Sequence, residues 1–188
     1  MRKKCIFLDR DGTINVYKGL ISKIEDIELI GGAAEAIKFI NESDYLCIVV
    51  SNQPGVAKNL CTLDEIWKIN ERLKELLKEK GAYLDDIFVC PHHPEKGYPD
   101  ENPEFKINCI CRKPNTGMIE LASSKYDIDL SQSYIIGDST IDIQTGINCG
   151  MTTILVKTGL AGMDKKFDVH SNYVADNLLA AVKLILKV

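Results

Sequence analysis

The chain has 188 residues, 45% hydrophobic and 27% charged, the profile of an ordinary soluble protein with enough length for a sizeable core. Its formal net charge is −4 and it has no long basic run, which argues against nucleic acid as the main partner. No stretch is long enough to span a membrane, and the apolar run after Met1-Arg2-Lys3-Lys4 ends at Asp9, too short for a secretory signal, so a cytoplasmic protein is expected.

Cys5-Ile6-Phe7-Leu8 reads as a buried strand, and it ends at Asp9-Arg10-Asp11-Gly12-Thr13. Asp-Gly is a turn signal, so the chain swings away after Asp11. Two carboxylates two residues apart point the same way while the backbone stays extended. That placement suits a nucleophile beside a general acid, a divalent-cation site, or both. Ile14 to Glu28 is an irregular flap over the end of this strand. Gly31-Gly32 opens a helix from about Ala33 to Glu42, with Ala33, Ala36, Ile37 and Ile40 on one face. Leu46 to Val50 is a continuous apolar run, as in a strand covered on both faces, and it ends at Ser51-Asn52-Gln53-Pro54-Gly55.

Thr62 and Glu65 form a capping box, so a helix starts at Leu63, runs to about Lys80 and stops at Gly81. Its apolar face takes in Ile66, Trp67, Leu73, Leu76 and Leu77, which places the sole tryptophan in the core. Asp86 to Cys90 is a third strand. A polar loop from Pro91 to Asn108 follows, carrying Pro94, Gly97, Pro99 and Pro103; loops this long are functional or disordered. Pro114 fits the first turn of a helix reaching about Tyr126. Ser133 to Gly137 is a fourth strand ending at Asp138, and a helix from Thr140 to Asn148 is closed by Gly150. Thr152 to Val156 is a fifth strand. Asp176 then caps a last helix with Leu178, Leu179, Val182, Ile185 and Leu186 inward.

Alternating strands and helices predict an α/β fold, a Rossmann-like parallel sheet with helices on both faces, in one domain across residues 1–188. Ligands in such folds bind outside the carboxyl ends of the strands. Asp9, Ser51 and Asp138 sit at such ends. Asp9, Asp11 and Asp138 would converge there, and hard oxygen ligands suit Mg²⁺. Ser51 can donate to a phosphoryl oxygen, and Lys113 at a helix start adds a cation where anions are favoured.

The seven cysteines are an odd number, which argues against a disulfide framework. Cys5 and Cys47 lie in apolar runs and read as core residues. Cys90-x-His92 and Cys109-x-Cys111 differ. In extended chain, residues i and i+2 face one side, so each pair can present two ligands to one ion. Together they predict a closed, structural Zn²⁺ site that folds the loop at about 90–111 and fixes Arg112-Lys113. His93 points the other way and is left out of the ligand set.

The set D-R-D-G-T, S-N-Q, R-K-P and G-D-S-T-I-D, in that order, resembles the haloacid dehalogenase superfamily of phosphatases over nearly the whole chain. The resemblance implies that Asp9 is the nucleophile and Asp11 the general acid and base. It implies Mg²⁺ held by Asp9, the Asp11 carbonyl and Asp138, and phosphoryl oxygens held by Ser51 and Lys113. Asp142, four residues past Asp138, either supports the metal or favours the helix amino end. D-R-D-G-T-I-N, C-P-H-H-P and C-I-C-R-K-P further resemble the heptose bisphosphate phosphatase and histidinol phosphatase subfamily, whose members lack a large cap domain. The implied substrate is a small sugar phosphate, D-glycero-D-manno-heptose 1,7-bisphosphate losing its 7-phosphate, with histidinol phosphate as the alternative. A monomer is expected. Asn52, Gln53 and Arg112 are the candidates for binding the leaving group. Ser139 stands where heptose enzymes often carry Lys, and Val56-Ala57-Lys58-Asn59 replaces a pattern that usually includes Arg-Gly.

Overall fold

The structure is a computed structural model and describes residues 2–97 and 100–188. Met1 and the loop residue Pro99 lie outside the described residues. Six parallel strands form one sheet in the order β3-β2-β1-β4-β5-β6. They are β1 (Lys4–Leu8), β2 (Tyr45–Asn52), β3 (Asp86–Cys90), β4 (Tyr134–Gly137), β5 (Thr152–Val156) and β6 (Tyr173–Ala175). The order reverses between β1 and β4, and a crevice opens at that point beyond the strand ends. β6 was not foreseen: three residues with two exposed side chains carry no alternation to read.

The helices are α1 (Ala33–Asn41), α2 (Leu63–Lys78), α3 (Gly117–Tyr126), α4 (Thr140–Asn148) and α5 (Leu178–Leu186). Alternate residues of the central strands feed two cores. Ile6, Leu8, Cys47 and Val49 pack with α1, α2 and α5, while Cys5, Phe7, Ile48 and Val50 pack with Met118, Ile119 and Ala122 of α3. Fully burying each such Ile, Leu or Phe contributes about 1.5–3 kcal/mol. α4 lies on the second face, with Gly146 pressed against Ile135 and Thr153.

The capping box at Thr62 is formed: Glu65 N–H donates to Thr62 Oγ1 at 3.2 Å and Thr62 N–H to Glu65 Oε2 at 2.7 Å. Three local expectations differ. The α5 cap is Asn177, whose side chain accepts from Ala180 N–H, while Asp176 pairs with Lys157 at 2.7 Å. Trp67 is 42% exposed, because Ile66, Ile69, Leu73 and Leu77 fill the inner face of α2 and leave it on the flank. The third helix starts at Gly117, not at Pro114. The Lys113–Pro114 peptide is cis and sits in a turn closed by Asn115 N–H donating to the Arg112 carbonyl at 2.8 Å. Lys113 is therefore delivered by a type VI turn, and the anion-binding argument from a helix start does not apply to it.

Candidate active site

Asp9 follows β1 directly, and its N–H still bonds to the Ile136 carbonyl at 2.9 Å, which continues the ladder with β4. Asp138 follows β4, so the two carboxylates emerge side by side at the switch point. Asp142 joins them from the first turn of α4. Its Oδ2 accepts from Ser139 N–H at 3.2 Å and from Ser139 Oγ at 2.6 Å, a second capping box. Ligand oxygens of Asp9, Asp138 and Asp142 all lie within 4.8 Å of one another. Asp142 thus belongs to the capping box at the amino end of α4, and its carboxylate also faces those of Asp9 and Asp138.

Lys113 reaches into this group. Its Nζ donates to Asp9 Oδ1 at 2.7 Å and to Asp142 Oδ1 at 2.5 Å, with Lys113 only 4% exposed. Its backbone is clamped by Asn52: Lys113 N–H donates to Asn52 Oδ1 and Asn52 Nδ2 donates to the Lys113 carbonyl, both at 3.0 Å. Burial alone would lower the pKa of the ammonium, but Asp142 and Asp9 outweigh it and raise the pKa. Burial pushes Asp9 up to about 7; Lys113 offsets part of this, and Asp142 and Asp11 add to the rise. Burial and the repulsion of Asp9 and Asp142 push Asp138 up to about 8. Three carboxylates around one ammonium leave an excess of negative charge that a divalent cation would relieve, and the donor set is all hard oxygen. The residues fit Mg²⁺.

Asp11 sits apart from that group. Arg10, fully buried, grips it with Nη2 at 2.9 and 3.0 Å and Nε at 3.2 Å, and Nη1 is anchored on Asn70 of α2 at 2.9 Å. Asn15 donates to Asp11 Oδ1 at 2.9 Å and Gln53 to Oδ2 at 2.7 Å. The same Gln53 nitrogen is 2.8 Å from Ser51 Oγ, so one amide links the Asp11 carboxylate to the Ser51 hydroxyl. Arg10 was missed as a site residue. The signal was its position between two carboxylates, where a buried cation has to take one of them as its partner.

Asp9, Asp11, Asp138 and Asp142 line one cleft of about 180 Å³ with Asn52, Arg112 and Lys113. Tyr17, Gly19 and Leu20 of the flap wall it on one side, and Ser139, Ile141 and Leu160 on another. Ser51 lies just beneath, 1% exposed. Gln53 is 3% exposed and both ends of the Asn52 amide are engaged by Lys113, so these two amides face protein partners. Arg112 opens onto the cleft, and its Nη1 donates to the His92 carbonyl at 3.0 Å.

That bond joins the cleft to the cysteine cluster. Cys90 at the end of β3, His92, Cys109 and Cys111 bring four ligand atoms within 4.8 Å of one another. Cys111 Sγ is 3.1 Å from Cys90 Sγ, 3.3 Å from Cys109 Sγ and 3.3 Å from His92 Nδ1. Burial, then Cys111, raises the Cys90 thiol pKa. Bonds to Cys111 and to backbone N–H groups outweigh burial at Cys109 and hold its pKa below the usual thiol value. Burial lowers the His92 pKa, which favours the neutral ring a metal needs. Three thiols and an imidazole at this spacing fit Zn²⁺ with no ligand position left over. Between the arms, Asn102 caps a short 3₁₀ turn at Pro103–Phe105, and Phe105 packs 5.8 Å from the His92 ring, centroid to centroid.

Comparison with known proteins gives a concordant result. A HAD-hydrolase-like family model matches residues 110–181. The chain is 37% identical to a D-glycero-D-manno-heptose-1,7-bisphosphate 7-phosphatase of Thermosynechococcus vestitus, over 98% of this chain and 96% of that one. It is 36% identical to a D-glycero-beta-D-manno-heptose-1,7-bisphosphate 7-phosphatase of Haemophilus ducreyi, covering 94% and 97%. Among solved structures it is similar to the D,D-heptose 1,7-bisphosphate phosphatase of B. bronchiseptica complexed with magnesium and phosphate. That match has a TM-score of 0.84, 28% identity and 98% of each chain covered. With its strand order, its paired aspartates and this likeness over nearly its full length, the chain belongs to the heptose-bisphosphate phosphatase family of haloacid dehalogenase-like hydrolases.

Proposed function

We propose that the chain removes the 7-phosphate of D-glycero-D-manno-heptose 1,7-bisphosphate in a Mg²⁺-dependent, two-step hydrolysis on Asp9. It does so as a monomeric cytoplasmic enzyme of one domain across residues 1–188, with zinc closing the loop at about 90–111. The observation that carries this reading is Asp9 held by Lys113 at 2.7 Å beside Asp138, in the same cleft as Asp11. Asp9 attacks phosphorus, and the leaving sugar oxygen departs as Asp9 becomes an acyl phosphate. Asp11 gives a proton to that oxygen and later takes one from the water that hydrolyses the acyl phosphate. Lys113 is pinned at both its backbone and its ammonium, so it meets the developing phosphoryl charge without reorganising. Ser51 accepts from Gln53 and keeps its own proton to donate to a phosphoryl oxygen. Mg²⁺ held by Asp9, Asp138 and the Asp11 carbonyl would neutralise charge on the transferring phosphate.

With the Asn52 and Gln53 amides engaged, recognition of the rest of the substrate falls mainly on Arg112. A guanidinium there suits a second phosphate, while the cationic amine of histidinol phosphate would be repelled by Arg112 and Lys113. The names of the relatives support the heptose bisphosphate over histidinol phosphate. Phosphate release with Mg²⁺ should show a higher kcat/KM on heptose 1,7-bisphosphate than on histidinol phosphate. Arg112→Ala should lower it for the bisphosphate by about tenfold or more, as for loss of a charge-assisted contact, and far less for a small phosphate ester. A wild-type preference for histidinol phosphate would overturn the substrate assignment. Equal losses on both substrates would confine Arg112 to bracing the zinc loop.

A further inference from the structure

Between β5 and β6 the chain runs through Thr158-Gly159-Leu160-Ala161-Gly162, and the contacts of this turn converge on Asp138. Leu160 N–H donates to Asp138 Oδ2 at 2.6 Å, and Gly162 N–H donates to the Asp138 carbonyl at 2.7 Å. Thr158 Oγ1 donates to the Gly12 carbonyl at 2.6 Å. The turn thus grips the side chain and the backbone of Asp138 and is tied to the stretch that carries Asp9 and Asp11.

The packing leaves no slack. Gly159 has φ +59°, and a Cβ there would run into the Asp138 carboxylate and lie 2.7 Å from Gly12 Cα. Gly12, at φ +88°, lies against the same carboxylate oxygen and against Gly159. Glycine is required at both places by conformation and by the close approach. Farther along, Asp164 accepts from Thr140 N–H at 2.8 Å and from Thr140 Oγ1 at 2.6 Å, which fastens the far end of the loop to the first turn of α4.

A carboxylate that accepts a short N–H bond on one oxygen presents the other in a fixed direction. Groups that orient a metal ligand in this way are worth about 10–100-fold in metal affinity. We propose that the Thr158–Gly162 turn is the positioning element of the divalent-cation site, acting through Asp138, and that Thr158 and Gly159 set cation affinity without touching substrate. This rests on the Mg²⁺-dependent reading above.

The test is Mn²⁺ binding to the full chain, followed by electron paramagnetic resonance with Mg²⁺ as competitor, alongside phosphate release. Thr158→Val and Gly159→Ala should each weaken binding of both cations by about tenfold or more. Thr158→Ser, which keeps the hydroxyl, should restore it. The Mg²⁺ concentration for half-maximal rate should rise in step, while kcat at saturating Mg²⁺ returns towards wild type. If Gly159→Ala does not fold, the two Thr158 variants decide. Folded Thr158→Val protein that binds both cations within about twofold of wild type would overturn the proposal, whatever its melting temperature. Wild-type protein that binds neither cation would bring down the metal assignment, and this inference with it.

Discussion

Asp9 combines two requirements that conflict in the absence of a cation. As the proposed nucleophile it has to be ionised to attack phosphorus, yet burial, with two carboxylate neighbours, raises its pKa to about 7. Asp9→Asn keeps the shape and removes the nucleophile, so phosphate release should be lost while unfolding midpoints stay near wild type; substantial turnover by folded variant protein would remove Asp9 from that role. Asp138 has the same conflict, with a pKa near 8. In the unfolded chain both titrate at about 3.9. Raised carboxylates favour the protonated fold, so their contribution is complete below that value and is lost as pH rises through about 7 and 8. Lys113, raised in the fold, keeps its contribution throughout this window. Mg²⁺ requires the ionised forms, so the rise in melting temperature it causes should be larger at about pH 8.5 than at about pH 6. Equal shifts at both pH values would show that the two carboxylates are already ionised at the lower one. That Asp9, Asp11, Ser51, Lys113 and Asp138 meet at one sheet edge was legible in the sequence, because Asp9 and Asp138 directly follow strands, Asp11 opens an Asp-Gly turn, Ser51 ends an apolar run and Lys113 precedes a proline. Arg10 and the turn after β5 were not. A buried arginine has no periodic signature, and a Gly-x-x-Gly turn reads as any other loop.

At the scale of elements, α2 acts on the site from a distance. Its only polar group in the core is Asn70, which holds the guanidinium that in turn holds Asp11. Asn70→Ala leaves Arg10 Nη1 buried without that acceptor, which should cost about 1–3 kcal/mol in denaturant unfolding. It should also lower kcat more than it raises KM if Asp11 acts, as proposed, only on the reacting proton. A stability change within about 0.5 kcal/mol of wild type would show that Arg10 finds another acceptor. The cysteine loop is the second such element. Purified protein should carry about one zinc per chain, and Cys109→Ser should lower both zinc content and melting temperature, since metal binding there is folding energy. Carefully prepared protein with no zinc would refute the site. Sequence spacing was sufficient to foresee this loop but not the start of α3. A proline before a helix is compatible with a first turn or with a separate turn, and the placement of Lys113 among three carboxylates selects the latter.

Across the whole molecule, a parallel sheet sends every strand's carboxyl end to one edge, so residues far apart in sequence meet there. Gly12 and Thr158 touch across 146 positions and Asp9 and Lys113 across 104. Alternating strands and helices were enough to infer that edge and its crevice. The last helix, α5, was also legible from its apolar residues, whereas the edge strand β6 depends on a chain that returns after a long irregular stretch, which no local pattern announces. The position of Trp67 has a practical consequence of another kind. As the sole tryptophan, 42% exposed on the flank of α2, it is already partly hydrated in the folded protein and does not line the cleft. Intrinsic fluorescence should therefore report little of cation binding and only part of the full change on unfolding, and circular dichroism or calorimetry is the better readout for the melting experiments above.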